Sequence, residues 1–99
     1  MIFFEWNESK ARINERKHGV RFEDAVLVFD DPFALFVQDR MEGGEIRWQA
    51  IGRSRDWTVV LVAHTVREEG RDEVVRIISA RQATRRERMR YEQTREENP

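Results

Sequence analysis

After Pro32 the hydrophobic period of this chain changes, and four apolar runs succeed one another at short, regular intervals. Residues 33–37, 46–52, 57–65 and 73–80 each carry the β-branched and aromatic side chains of a strand. Met41-Glu-Gly-Gly-Glu and Arg67-Glu-Glu-Gly-Arg-Asp separate two pairs of them, each supplying the glycine that a tight turn uses. Connections this short join antiparallel neighbours, so about half of the chain is restricted to a sheet of hairpins.

The first third has a different pattern. Residues 2–6 are apolar and aromatic, enough for one short strand. Asn7 or Ser9 caps a helix that runs to about His18, where Gly19 is a natural left-handed stop. Lys10, Asn14 and Lys17 recur at i, i+4 and i+7, a stripe that reads as a solvated face. Phe22, Val26 and Phe29 fit the face of a second helix, although so short an apolar run also fits a strand. Asp30-Asp31-Pro32 ends it. At the other end, Thr84-Arg-Arg-Glu87 is a capping box that opens a helix from about residue 85 to 96, fraying at Asn98-Pro99. The expected architecture is α+β: one domain over residues 1–99, with an antiparallel sheet, two N-terminal helices and one C-terminal helix. The helices would lie against one face, leaving the other partly open as a groove.

Charge is distributed unevenly along this frame. The net charge is −1, which argues against a protein that coats nucleic acid indiscriminately. Yet Arg76, Arg81, Arg85, Arg86, Arg88 and Arg90 crowd one strand-to-helix corner. Guanidinium groups are planar, permanently charged and forked, which suits them to phosphate. Arginine excess overall can reflect genome composition, but that does not account for the clustering. There is no cysteine, no apolar run near the ~20 residues of a membrane span, and no basic and apolar leader at the N-terminus. A cytoplasmic protein is expected.

Few residues are equipped for chemistry. His64 points to the same strand face as Val60 and Val62, and His18 ends the first helix, where a cation suits the dipole. So placed, and without cysteine, they do not make a zinc site. Strict alternation puts Arg76 and Arg81 on opposite faces of their strand, unless a bulge or the strand end turns one of them; Arg47 and Trp48 also take opposite faces, so only one of those two faces a groove. Glu87 and Tyr91 form an i, i+4 pair on the last helix. An arginine cluster without metal ligands best supports RNA cleavage by the RNA's own 2′-hydroxyl, which needs a base, an acid and positive charge around the phosphorane. The same residues also suit a phosphate-binding module, an acidic protein partner, or a structural corner in which Arg76 pairs with Glu73 or Glu45.

Phe4-Glu-Trp6, Lys17-His-Gly-Val20, Phe22-Glu-Asp-Ala25, Asp31-Pro32, Arg47-Trp48, Ile51-Gly52 and Arg76-Ile-Ile-Ser-Ala-Arg81, with Ala83-Thr84, Glu87-Arg88 and Tyr91-Glu92, resemble the BrnT toxins in order and spacing over nearly the whole chain. Arg21 stands where that family commonly has a helix-capping serine, and segment 39–44 lacks a histidine often seen there. The resemblance implies a RelE-like fold and a bacterial type II toxin: a metal-independent endoribonuclease that cleaves RNA and stops translation, with no cofactor. It also implies a BrnA-like antitoxin that forms a hetero-oligomer with the toxin and alone contacts DNA. Arg76, Arg81, Lys17, Glu87 and Tyr91 fall on matching positions. The catalytic candidates are Arg76 and Arg81 for phosphate and transition-state contacts, and Lys17, His18 and Tyr91 for proton transfer or positioning. His64 is added from its strand placement. Lys10, Arg47, Arg85 and Glu87 are the candidates for RNA binding. The alternative is a non-catalytic partner that binds antitoxin or nucleic acid and acts mainly in operon autoregulation.

Overall fold

The four apolar runs pair as their short turns require. In the computed structural model, which describes residues 1–97, they form β2 (Leu35–Glu42), β3 (Glu45–Arg53), β4 (Val59–Glu69) and β5 (Asp72–Gln82), an antiparallel meander. The expected fraying at Asn98-Pro99 lies outside the described residues. β1 (Ile2–Glu5) completes the sheet, in the order β1-β5-β4-β3-β2, and it pairs with β5 in parallel. The sheet is therefore mixed, not wholly antiparallel as expected. The helix next in the chain fixes the direction of β1. Glu5 lies opposite Arg76, α1 (Glu8–His18) starts three residues later, and Asn14 of α1 reaches Ala80 further along β5.

Helices lie on both faces, which corrects the expectation of one. α1 and α2 (Phe22–Ala25), with the 3-10 segment Val26–Asp30 that continues α2, pack over Ala50, Val60, Val62, Val75, Ile77 and Ala80. Phe22, Ala25 and Val28 are fully buried, and their spacing of three is the 3-10 repeat, which explains why the expected second helix tightens after one turn. Gly52 permits this approach: a Cβ there would sit 2.9 Å from Val28 Cγ1 and 3.1 Å from Ala34 Cβ. α3 (Arg85–Glu97) lies on the opposite face, where Tyr91 packs with Ile51, Val59 and Leu61. Val59-Val-Leu-Val62 is apolar at both parities, the pattern of a strand buried on two sides.

Asn14 corrects a second expectation. It belongs to the Lys10–Asn14–Lys17 stripe, yet it is only 6% exposed. Its Nδ2 donates to the carbonyls of Val20 (3.0 Å) and Ala80 (2.8 Å), and its Oδ1 accepts from Ala80 N–H (3.0 Å). β1 pairs with β5 only as far as Arg76, so beyond it the carboxamide takes a strand's place at an open edge.

The start of α3 is fixed as its capping box requires. Thr84 Oγ1 accepts from Glu87 N–H (3.2 Å), and Glu87 Oε1 accepts from Thr84 N–H (2.8 Å). Arg81 then holds Glu87 in a two-pronged pair at 2.8 and 3.0 Å. Further along, Tyr91 donates its hydroxyl to Asp31 Oδ2 (2.5 Å), which also accepts from Arg53 N–H (2.8 Å), while Oδ1 accepts from Phe33 N–H (2.9 Å).

Asn14→Ala strands one buried N–H and two carbonyls, at roughly 1–3 kcal/mol for each group left unpaired, so denaturant unfolding should show a loss of about 3 kcal/mol. The capping box carries its own pH dependence. Arg81, aided by the Thr84 N–H and hydroxyl, outweighs burial and draws the Glu87 carboxyl from an ordinary 4.5 down to about 2. A folded-state value below the unfolded one stabilises α3 fully above pH 4.5, and this is lost as pH falls towards 2. NMR amide protection of α3 should hold from pH 7 to 4.5 and then decline, whereas Glu87→Gln lowers it already at pH 7. A Glu87 titration midpoint above 4 would contradict this account.

Candidate functional site

Five residues separate Arg76 from Arg81, so strict alternation would place them on opposite faces. The β4–β5 register shifts between Ala63 and His64, which pair with Ser79 and Ile77 and leave Ile78 as an extra residue. This β-bulge reverses the parity. Ile77 and Ala80, three apart, both enter the helix-side core, while Arg76 and Arg81 lie opposite Thr65 and Leu61 on the α3 face. Alternation from Ile51 adds Arg47 to this face and sends Trp48 to the other.

The face is not a bare basic surface. Arg76 meets Glu45 at 2.6 Å, Arg67 holds Glu5 at 2.6 Å and Glu69 at 3.2 Å, and Arg81 holds Glu87. Arg47 Nε lies 3.4 Å from Glu42, within reach of charge attraction but not aligned as a hydrogen bond, so this buried nitrogen has no hydrogen-bond partner among the described residues. On this side, α3 carries four cations without an ion pair. Arg85, Arg86, Arg88 and Arg90 have no carboxylate partner among the described residues, whereas Arg95 meets Glu92 at 3.3 Å. Glu87 joins the strand arginines to this helix.

The remaining candidates do not gather at Arg76. Tyr91 is fully buried, and burial together with the Asp31 carboxylate pushes its phenol above the ordinary value. Asp31 is its counterpart. Burial opposes the charge, but the Tyr91 hydroxyl and the N–H groups of Arg53 and Phe33 outweigh it and hold the carboxyl below its usual range. His64 faces the other way, edge-on to Phe29 at 4.9 Å, with Nδ1 3.1 Å from Val62 O, and burial lowers its pKa. Lys10, Lys17 and His18 ride α1, in the helix layer over the face opposite to Arg76.

Glu45 and Asp31 were not singled out from sequence for these places. Asp31 read as a helix stop, although its acceptance of an N–H two residues on is the Asx turn that Asp-Pro-Phe invites. Glu45 entered only as a salt-bridge partner for Arg76, and its charge at the head of β3 was the available signal.

A family model described as ribonuclease toxin, BrnT, of type II toxin-antitoxin system matches residues 6–87. The crystal structure of the Brucella abortus ribonuclease toxin BrnT is 26% identical, covers 86% of this chain and 99% of its own, and superposes with a TM-score of 0.64. No curated protein matches the chain. With the mixed sheet, its two helix layers and a match spanning most of the sequence, the chain belongs to the BrnT family of ribonuclease toxins of type II toxin–antitoxin systems.

Proposed function

We propose that this toxin, a single RelE-like domain over residues 1–99, cleaves RNA laid along the arginine-bearing face of the sheet beside α3, without a metal. The observation that carries the reading is the bulge at Ile78, which gathers Arg47, Arg76 and Arg81 on one face next to a helix with unpaired arginines. The 2′-oxygen attacks the adjacent phosphorus, the bond to the 5′-oxygen breaks, and a 2′,3′-cyclic phosphate and a 5′-hydroxyl result. A base takes the 2′ proton and an acid returns one to the leaving oxygen.

Arg76 is the phosphate contact. Its pair with Glu45 is exposed on both sides, and such pairs are worth only about 0–1 kcal/mol, so a phosphate can replace the carboxylate at little cost. Glu45, released beside that phosphate, takes the 2′ proton. Arg81 is committed to Glu87 and roughly 15 Å from Arg76 along the strand, so it sets the α3 corner and meets a different phosphate. Tyr91 anchors α3 through Asp31. Arg85 and its neighbours on α3 attract the RNA backbone, while Lys10, Lys17 and His18, over the opposite face, lie off this RNA path. His64 takes no part in the reaction. The toxin acts in the cytoplasm, stops translation, and is held in a hetero-oligomer by a BrnA-like antitoxin that alone contacts DNA.

Purified Arg76→Ala and Glu45→Gln should each cleave RNA about 100-fold more slowly while unfolding like the wild type. If both fold and cleave at the wild-type rate, the reacting phosphate does not lie on this face. Changing Arg85, Arg86, Arg88 and Arg90 together to Gln should weaken RNA binding and flatten the salt dependence of log K by about 3, the share of four single-strand phosphate contacts. Fluorescence anisotropy across a salt series reads this, and an unchanged slope removes α3 from the RNA path.

A further inference from the structure

The helix-bearing face of the sheet is only partly covered. Beyond Phe29 no helix among the described residues lies over it, and Ile2, Phe36, Trp48, His64 and Val66 line an open cavity of about 370 Å³. Ile2 is 50% exposed, Phe36 52% and Val66 40%. Alternation from Trp48 brings Ile46, also exposed, onto the same face, and Met41 pairs directly with it. Scattered exposed apolar residues are ordinary, but a contiguous apolar patch around a cavity marks a place of contact.

One end of this patch is acidic. Glu68 and Glu73 are direct partners across β4 and β5, on the face of Val66 and Ile2. Like charges so opposed destabilise a sheet. Neither has an ion-pair partner among the described residues, whereas on the opposite face Glu5, Glu42, Glu45, Glu69 and Glu87 each meet an arginine. The chain thus presents an apolar cavity with an uncompensated pair of carboxylates at its rim. That arrangement fits an amphipathic protein segment with large apolar side chains and a cation beyond them. The carboxylates repel an RNA backbone, and no lysine or arginine among the described residues lines the cavity to offset them.

We propose that this face docks the antitoxin: apolar side chains of an antitoxin segment fill the cavity over His64, and a lysine or arginine of that segment bridges Glu68 and Glu73. The proposal rests on the toxin–antitoxin reading above and deepens it by naming the surface. It places the antitoxin anchor on the side of the sheet away from Arg76, so binding and cleavage are separable by mutation.

The test uses full-length toxin and the antitoxin chain encoded beside it, with affinity measured by calorimetry and RNA cleavage measured in parallel. Phe36→Ser and the double variant Glu68→Lys, Glu73→Lys should each bind antitoxin at least about 30-fold more weakly, the scale of an interface hot spot, with cleavage unchanged. In cells, antitoxin co-expression should no longer rescue their growth arrest, while Arg76→Ala should still bind antitoxin as the wild type does. The double variant exchanges one like-charge pair for another at exposed positions, so it remains informative if Phe36→Ser fails to fold. Binding of both variants within about threefold of wild type overturns the proposal. So does a wild-type toxin that self-associates through Phe36, which would make a second copy the occupant. A wild-type toxin that does not bind the antitoxin at all overturns the toxin–antitoxin reading and this inference with it.

Discussion

The side chain of Asn14 stands where a sixth strand would. β1 covers only the first part of β5, and past Arg76 the backbone of β5 faces α1 with unpaired groups. Ala80 turns both its N–H and its carbonyl towards that edge, and one carboxamide satisfies both while also holding Val20. The position matters because Ala80 lies two residues past Ile78, where β5 carries an extra residue. A bulge can migrate along a ladder if nothing fixes the strand on its far side. Asn14 fixes it, and with it the parity that puts Arg76 and Arg81 on one face. A polar residue in a helix core therefore determines where the arginines of the opposite face point.

That face is electrostatically balanced in the free protein. Arg67, Arg76 and Arg81 are matched by carboxylates, and four cations unmatched among the described residues are carried by α3. Exposed ion pairs of this kind contribute little to stability. They keep guanidinium groups extended and near their working positions, and they suppress indiscriminate attraction of polyanions. On the RNA path proposed above, long-range attraction falls to α3, and selection among bound phosphates falls to groups that must exchange a partner to act. A net charge of −1 is compatible with a ribonuclease on these terms.

The legible parts of the fold were those set by local rules. The meander came from period-two runs and glycine turns, α1 from Asn7 and Gly19, and α3 from Thr84 and Glu87, since each depends on neighbours within a few residues. Non-local choices were not legible. The direction of β1 depends on where α1 must travel, and the side taken by α3 depends on whether Tyr91 can reach Asp31, sixty residues away. The bulge could be named as an exception but not located, because alternation counts residues, and a single unpaired Ile78 inverts every assignment beyond it. In the site, Arg76, Arg81 and Arg47 were identifiable by type and strand position. The burial of Tyr91 and His64 was not legible, because it depends on the layers packed over each face of the sheet.

The two faces of the sheet are consequently unlike in a way that bears on control. One is polar, ion-paired and flanked by a cationic helix. The other is apolar, with a pair of unneutralised carboxylates at its edge. RNA gains nothing from the second, and an apolar protein segment gains little from the first. β4 and β5 supply both, since Thr65 and Arg76 look one way while His64, Val66 and Val75 look the other. Any partner seated on the apolar face presses on the same two strands that carry Arg76. At Ile78 that strand pair contains the point where its register shifts, and the parity set there decides which side chains each face presents.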